Sequence, residues 1–525
     1  MTQGFPLSPQ QEHLFRLAAE DGAPPYRSLA VVAVDGELDP ELLRAAAADL
    51  VARHEVLRTV FEQPRGLEVP IQVVRDAGDL PPAWSAVDLT GAGDEGRARR
   101  LAALLEDARR SPGETAEVGT SGAGASGADT SGAGAFGLRL ALARIAPERH
   151  RLVLSVPALC ADGAGVGQLA AELERAYRAR LGGNVLDGEP MQAADLAAWQ
   201  RDLLEAEGAE VGLDHWRRRD LTGLLHFRLP FEARADAASP FRPRSLEHAL
   251  GDEVRAGVAA LAAGVVAPGA SGGGVTASDV LLAAWAALLG RLTEQERLVI
   301  GVLGDGRQYE GLEEAVAPMA RSLPLTVEPA AETRFNDFLL RVAEARAEAE
   351  EWQEYFTWDP WRNALRHLRG SLFFPVLFES RAPVAPVDGG WRIERRESLG
   401  DRFRLRLTVR ESRDGGLSLG IDYDAAVVDR ASVALLAERL ETLLGSAVAR
   451  PDAAIDELEV LGRSERRVLF ADPGAEAEDE GAGEDAAGDP LDGFRRWVAD
   501  DPGRPAVSGA GERLSYGDLA ADARR

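Results

Sequence analysis

Cysteine is almost missing from this chain: Cys160 is the only one. A lone cysteine excludes an internal disulfide and fits a reducing cytoplasm. Long apolar runs are missing too. None approaches the roughly 20 residues that a membrane-spanning helix needs. The opening Met-Thr-Gln-Gly-Phe-Pro has neither the basic nor the apolar part of a secretory signal. Positive charge is in deficit: the net charge of −27 argues against unspecific nucleic-acid binding. Metal-ligand spacing of Cys and His is absent, as are a Gly-x-Gly-x-x-Gly behind a strand and a Gly-x-x-x-x-Gly-Lys-Ser/Thr phosphate loop. These absences predict a soluble chain that binds no cofactor or metal of its own and takes neither nucleic acid nor membrane as partner. Its 525 residues predict more than one folding unit, because single cores stop growing near roughly 250–300 residues.

What is present centres on Ser155–Gly163, Ser-Val-Pro-Ala-Leu-Cys-Ala-Asp-Gly. A strand-like run, Arg151–Val156, leads into it. A helical pattern leads out, apolar at Val166, Leu169, Ala170, Leu173 and Tyr177. Asp162-Gly163 is a turn dipeptide, the glycine free in backbone and the aspartate able to bond nearby amides. Two rigid elements flanking a tight turn hold its side chains in place, so this is a position for chemistry. On these residues alone a plain strand-to-helix turn without chemistry is the simpler reading.

The surrounding segments resemble the condensation domain of nonribosomal peptide synthetases. Leu7–Leu14, with Ser8 as N-cap and Pro9 at the first helical position, resembles the family's Ser-x-x-Gln-x-x-Leu. Arg53–Phe61 matches Arg-His-x-x-Leu-Arg-Thr-x-Phe, with His54 in a structural role at a helix end. Trp199-Gln200 and His215-Trp216 fall in the expected order, as do Gly304–Gln308, Gln353–Phe356, and strands at Leu372–Phe378, Phe403–Arg410 and Gly416–Tyr423. The pattern places a buried helix at Val275–Leu292, capped by Ser278, and a last helix at Ala431–Val448. Residues 111–135, rich in Gly, Ala and Ser, read as a disordered insertion. Pro473–Asp489 reads as an acidic solvated linker, and 492–525 resembles the start of an adenylation domain, which implies a fragment of a longer protein.

The resemblance implies an α/β (α+β) fold of two chloramphenicol-acetyltransferase-like lobes in a V-shaped pseudo-dimer. The N-terminal lobe is expected over 1–180, the C-terminal lobe over 181–470, the linker over 471–491 and the adenylation start over 492–525. It implies carrier proteins as partners, with substrates on their phosphopantetheine, beside an adjacent adenylation domain and a possible trans-acting enzyme. The family's turn is His-His-x-x-x-Asp-Gly. Here Pro157 and Ala158 stand at the histidine positions, while Asp162 and Gly163 match. Alanine's side chain neither donates nor accepts a proton. Proline removes a backbone donor. A second motif is altered as well: Arg321 stands for the usual Asn and Ser322 for Thr. Arg321 is expected in the channel, either binding a carboxylate or phosphate or bracing the lobes. Cys160 is expected near the channel, as a packed small residue or as a nucleophile. Asp162 is expected to hold the turn through an ion pair with Arg307, a general-base role being the alternative. The seven histidines, His13, His54, His150, His215, His226, His248 and His367, all lie in other segments, so no imidazole is expected on the channel side of the turn at 157–163. The expected function is an atypical condensation-type domain serving as scaffold, docking platform or gate. The alternative is an active, divergent enzyme forming an amide or ester between carrier-bound donor and acceptor. A heterocyclising relative would need Asp at position 157, and a stand-alone CoA-dependent acyltransferase would need a histidine at the same turn.

Overall fold

The structure is a computed structural model that describes residues 4–21, 26–64, 66, 69–110, 137–225, 227–233, 240–265, 274–364, 372–382, 390–412, 416–470, 496–509 and 512–522. The expected insertion and linker, and the histidines His226 and His367, lie outside the described residues. The chain divides into two compact units, Met1–Gly462 and Arg463–Arg525.

The first unit opens on β1 (Gly4–Pro6), α1 (Pro9–Asp21), β2 (Arg27–Asp35), α2 (Pro40–Arg53), β3 (Thr59–Glu62), β4 (Ile71–Val74), β5 (Ala83–Asp88), α3 (Asp94–Arg109), β6 (Arg139–Ala146), β7 (Arg149–Pro157) and α4 (Gly163–Leu181). It continues through α5 (Ala193–Glu205), α6 (Glu210–Arg217), β8 (Pro243–Ala249), α7 (Asp252–Gly264), α8 (Ala277–Thr293), β9 (Leu298–Gly304), β10 (Arg321–Val327), α9 (Phe335–Glu351) and α10 (Asp359–Ala364). It closes with β11 (Val376–Arg381), β12 (Trp391–Ser398), β13 (Leu405–Glu411), β14 (Leu417–Asp424) and α11 (Arg430–Ala449).

Two mixed sheets form the lobes. One has the order β12-β2-β7-β6-β5, the other β10-β9-β11-β13-β14-β8. A small third sheet, β1-β4-β3, accompanies them. The helix starts follow from capping chemistry. Asp39 accepts from the amides of Glu41 and Leu42 ahead of Pro40 and α2. Ser8 Oγ accepts from the Gln11 amide at the head of α1. α8 is capped by Thr276 in a reciprocal capping box with Asp279, not by Ser278. The Ser278 hydroxyl is instead bonded to Ser380, at 2.7 Å, one residue inside the helix. α8 is buried on every side from Ser278 to Gly290, as its dense apolar content requires.

The division expected near residue 180 is crossed in both directions. β12, from late in the chain, pairs antiparallel with β2 as the edge of the N-terminal sheet, from Trp391↔Val34 to Ser398↔Ser28. Trp391 and Ile393 join the core that β2, β7 and α4 build. In return, Leu7, Leu14 and Leu17 around α1 pack into the core of the other lobe. The second unit holds a helix, Arg463–Phe470, assigned in the sequence to the preceding lobe. It also holds an antiparallel hairpin, Pro505–Gly509 with Glu512–Ser515, and a helix at Tyr516–Asp522.

Candidate functional site

β7 runs to Pro157, still in register with Arg27 of β2. The chain then turns tightly: the amides of Cys160 and Ala161 donate back to the Pro157 carbonyl at 2.9 and 3.4 Å, and the Ala158 amide donates to Tyr26 O at 3.0 Å. Asp162 ends the turn and caps α4, its Oδ1 accepting from the Gly165 amide at 2.8 Å.

The same carboxylate joins the two lobes. Arg307 donates to both its oxygens, Nη1 to Oδ2 at 2.8 Å and Nη2 to Oδ1 at 2.9 Å. The amides of Met319 and Ala320 donate to Oδ2 at 2.9 and 2.8 Å. Both charged side chains are buried, 5% exposed for Arg307 and 7% for Asp162. Burial pushes the Asp162 carboxyl up. The guanidinium of Arg307 and the amides of Gly165 and Ala320 outweigh burial and hold it below the usual carboxylate range. An anion so fully bonded is an anchor for the turn, not a group free to take a proton.

The turn faces a cavity of about 540 Å³. Ala158, Asp162 and Gly163 line it from the turn, Gln10 and His13 from α1, Arg321 and Ser322 from β10, and Arg396 and Ser398 from β12. At position 158 the cavity meets a methyl group. Pro157 does not line it.

Cys160 takes the packed one of its two expected roles and is not a channel residue. It does not line the cavity; it packs behind the turn in the apolar core with Ala161, Val166 and Leu169. Burial pushes its thiol up to about 12, with Arg27 only partly opposing. That environment disfavours the thiolate a nucleophile needs.

Arg321 is engaged within the protein. Nη1 donates to the carbonyls of Gln353 and Glu354 at 3.0 and 3.1 Å, and Nη2 donates to Glu354 Oε2 at 2.7 Å. The Gln10 amide, oriented to satisfy all its neighbours, accepts from Arg321 Nη2 and Nε at 2.7 and 2.8 Å and donates to Gln200. Burial lowers the arginine and raises the glutamate, each against the attraction of the other. The guanidinium braces α1 to β10 and presents no open fork to a ligand. Its neighbour Ser322 is buried, and its hydroxyl has no partner among the described residues.

Sequence reading missed His13. The turn at 157–163 is expected to lack an imidazole on its channel side, and this ring lines the same cavity from α1 instead. Its Nε2 lies 3.2 Å from Asp401 Oδ1, and the ring stacks on Trp358 at 5.6 Å. The opening motif reads first as a helix cap, and nothing in it signals that the helix face after Ser8 borders the turn. His54 is placed elsewhere, 2.6 Å from Glu172 and buried. Among the described residues no group of His, Cys, Asp and Glu is placed to hold a metal ion.

Two lobes meet over a buried Asp–Arg pair, with a cavity at the strand-to-helix turn. The chain belongs to the condensation-domain family, which it matches over residues 1–112 and 135–470. It is 26% identical over 482 residues to tyrocidine synthase 3 of Brevibacillus parabrevis, covering 89% of this chain and 7% of that protein. It is 29% identical over 497 residues to a probable non-canonical nonribosomal peptide synthetase, CymA, of Salinispora arenicola, covering 90% of this chain and 6% of that protein. The chain thus spans only a small part of the length of the curated relatives it matches. Among solved structures, the condensation domain of the monacolin K polyketide synthase MokA superposes with a TM-score of 0.68 at 18% identity, covering 86% of this chain and 99% of that one. The X-domain from teicoplanin biosynthesis superposes with a TM-score of 0.67 at 24% identity, covering 88% and 98%. These likenesses establish the two-lobed fold.

Proposed function

We propose that this chain is a condensation-type domain of a nonribosomal peptide synthetase assembly line. It engages carrier-protein-bound substrate without ordinary histidine-assisted amide formation at its turn, and serves as a docking or gating domain beside an adenylation domain. The observation that carries the reading is Ala158. Amide formation requires the amine nitrogen to attack the thioester carbonyl, the C–S bond to break and the amine proton to reach a base or the departing thiolate. A methyl at the position of the family's second histidine gives that proton no acceptor. The frame around it, Asp162 on Arg307, is intact, so the fold is maintained while the reactive position is blank. The solved structure of a teicoplanin X-domain in complex with OxyB supports a docking role for a domain of this fold. Substrates would arrive on phosphopantetheine. Among the described residues no helix is long and apolar enough to cross a membrane, which suits a cytoplasmic assembly line.

A second reading rests on one observation, the His13–Asp401 pair on the wall of the same cavity. There the imidazole would manage the proton from α1, and the chain would be a divergent amide- or ester-forming enzyme. Incubation with loaded donor and acceptor carrier proteins, read by intact mass, separates the two. The first reading expects no amide product from the natural chain, and product from Pro157→His with Ala158→His. Product from the natural chain that is lost in His13→Ala overturns it in favour of the second.

A further inference from the structure

All 59 basic side chains of this protein are arginine. Among the described residues seven of them line the cavity: Arg201, Arg307, Arg321, Arg362, Arg381, Arg396 and Arg406. Six have a carboxylate within ion-pair distance: Glu12, Asp162, Glu354, Asp359, Glu379 and Asp422 in turn. Arg396 has none among the described residues. Among the described residues its one side-chain hydrogen bond runs from Nη2 to the Ala382 carbonyl at 3.5 Å.

The backbone delivers this arginine to the cavity by a specific device. β12 carries an irregularity between Ile393 and Arg395, so that Glu394 is the extra residue against β2. Trp391 and Ile393 lie opposite Val34 and Val32. Beyond the bulge it is Arg396 and Ser398 that lie opposite Ala30 and Ser28, on the same face. Without the extra residue, Arg395 and Glu397 would hold those places, and Arg396 would point to the far side of the sheet. Arg395 and Glu397 instead pair with each other and with Glu247 and Arg109. On the cavity side the glycines of α4 make room. A Cβ at Gly167 would sit 2.9 Å from Arg396 Cδ and 3.2 Å from Nη1. A Cβ at Gly163 would sit 3.7 Å from Ser398 Cβ. The arginine therefore lies across the first turns of α4, beside the turn at 157–163.

Among the described residues the charges facing it leave a surplus of one. Glu379 and Asp162 act on Arg396 favourably, Arg381 and Arg307 unfavourably, and those four are already paired with one another. Burial and repulsion by Arg381 disfavour its charged form. A half-buried guanidinium in that position is completed by one incoming anion, and a planar carboxylate matches its fork.

We infer that Arg396 anchors a carboxylate carried by the acyl group of the ligand, so that the cavity selects acidic acyl or aminoacyl chains over neutral ones. This rests on the reading that the cavity receives carrier-borne acyl groups. Arg396 stands beside the turn where the thioester end would lie, which assigns the charge to the acyl group and not to the distant phosphate of the arm.

The test is calorimetric titration of the full chain with succinyl-pantetheine and with its methyl ester, which differ by one negative charge. The natural chain should bind the acid at least tenfold more tightly. The preference should fall to within twofold in Arg396→Gln and be largely kept in Arg396→Lys. Gly167→Ala, which crowds the arginine's stem and leaves its charge, should also reduce it, and decides the matter if Arg396→Gln does not fold. Equal binding of acid and ester, or a preference that survives these substitutions, overturns the role of Arg396 alone. If Arg396→Gln instead weakens butyryl-phosphopantetheine relative to butyryl-pantetheine, the anion is the arm's phosphate and the acyl assignment is wrong. If no thioester binds, the reading of the cavity falls together with the inference.

Discussion

Replacing Asp162 by Ala removes more than a charge. Its carboxylate accepts five hydrogen bonds, two from Arg307 and one each from the amides of Gly165, Met319 and Ala320. The substitution leaves the Arg307 guanidinium buried without its counter-ion and the two amides just before β10 without acceptors. Breaking one partner of a buried ion pair costs about 3–5 kcal/mol. Each stranded buried donor carries a penalty of roughly 1–3 kcal/mol when nothing relaxes. Because these terms share atoms they do not add, and the expected loss is about 3–5 kcal/mol. The urea midpoint of the transition that reports on Met1–Gly462, followed by near-ultraviolet circular dichroism, measures it. Asp162→Leu with Arg307→Met removes both charges and should recover much of the loss, since apolar replacements for a buried pair are often neutral or better. The carboxyl's folded pKa lies below its unfolded value of 3.8. Its contribution is therefore complete above that value and disappears as the pH falls through the folded pKa. At neutral pH Asp162→Ala should be clearly weaker than the natural chain, and the difference should shrink on acidification below that range. A variant within about 0.5 kcal/mol of the natural chain at pH 7, the spread of ordinary surface substitutions, would refute the account of the turn.

Three further outcomes are expected. Arg321→Ala should cost about 3–5 kcal/mol by stranding Glu354, whereas Arg321→Met with Glu354→Met should be nearly neutral in the same denaturation assay. Cys160 should resist iodoacetamide at pH 8 in the native chain and react once the chain is unfolded, read by intact mass; rapid native labelling would contradict its placement behind the turn. Trp391→Ala should lower stability by about 3–5 kcal/mol through the cavity left beside Tyr177, and a loss below 1 kcal/mol would show that β12 is not held as described.

Much of the fold was legible because local chemistry and tertiary structure agree. Pro40 behind Asp39, the apolar face of α4 and the densely apolar α8 each announce their element. The pair Asp162–Arg307 was accessible only through family resemblance, since no local pattern links residues 145 positions apart. β12 escaped because Trp-Arg-Ile-Glu-Arg-Arg-Glu-Ser does not alternate cleanly. The bulge breaks the period of two, and the charged residues find partners that only the folded chain supplies. His13 escaped for a similar reason: its helix was identified, but which face borders the cavity depends on the second lobe. Alternation from Ala158 would put Cys160 at the channel, but it does not hold through a turn, and the thiol packs behind it.

The path of β12 bears on how this protein can be recombined. Its edge position beside β2 means that a chimera spliced anywhere between α4 and β12 gives the first parent's sheet the second parent's edge strand. The graft must then reproduce the register from Trp391 to Ser398, including the extra residue at Glu394. A splice that loses that residue would rotate Arg396 and Ser398 out of the cavity while leaving every catalytic-motif position of the donor sequence in place. An N-terminal half cut off after α4 would expose the unpaired edge of β2, a strand buried from Arg27 to Val34, to any other strand in solution. Exchange is therefore safest when Met1–Gly462 moves as one piece.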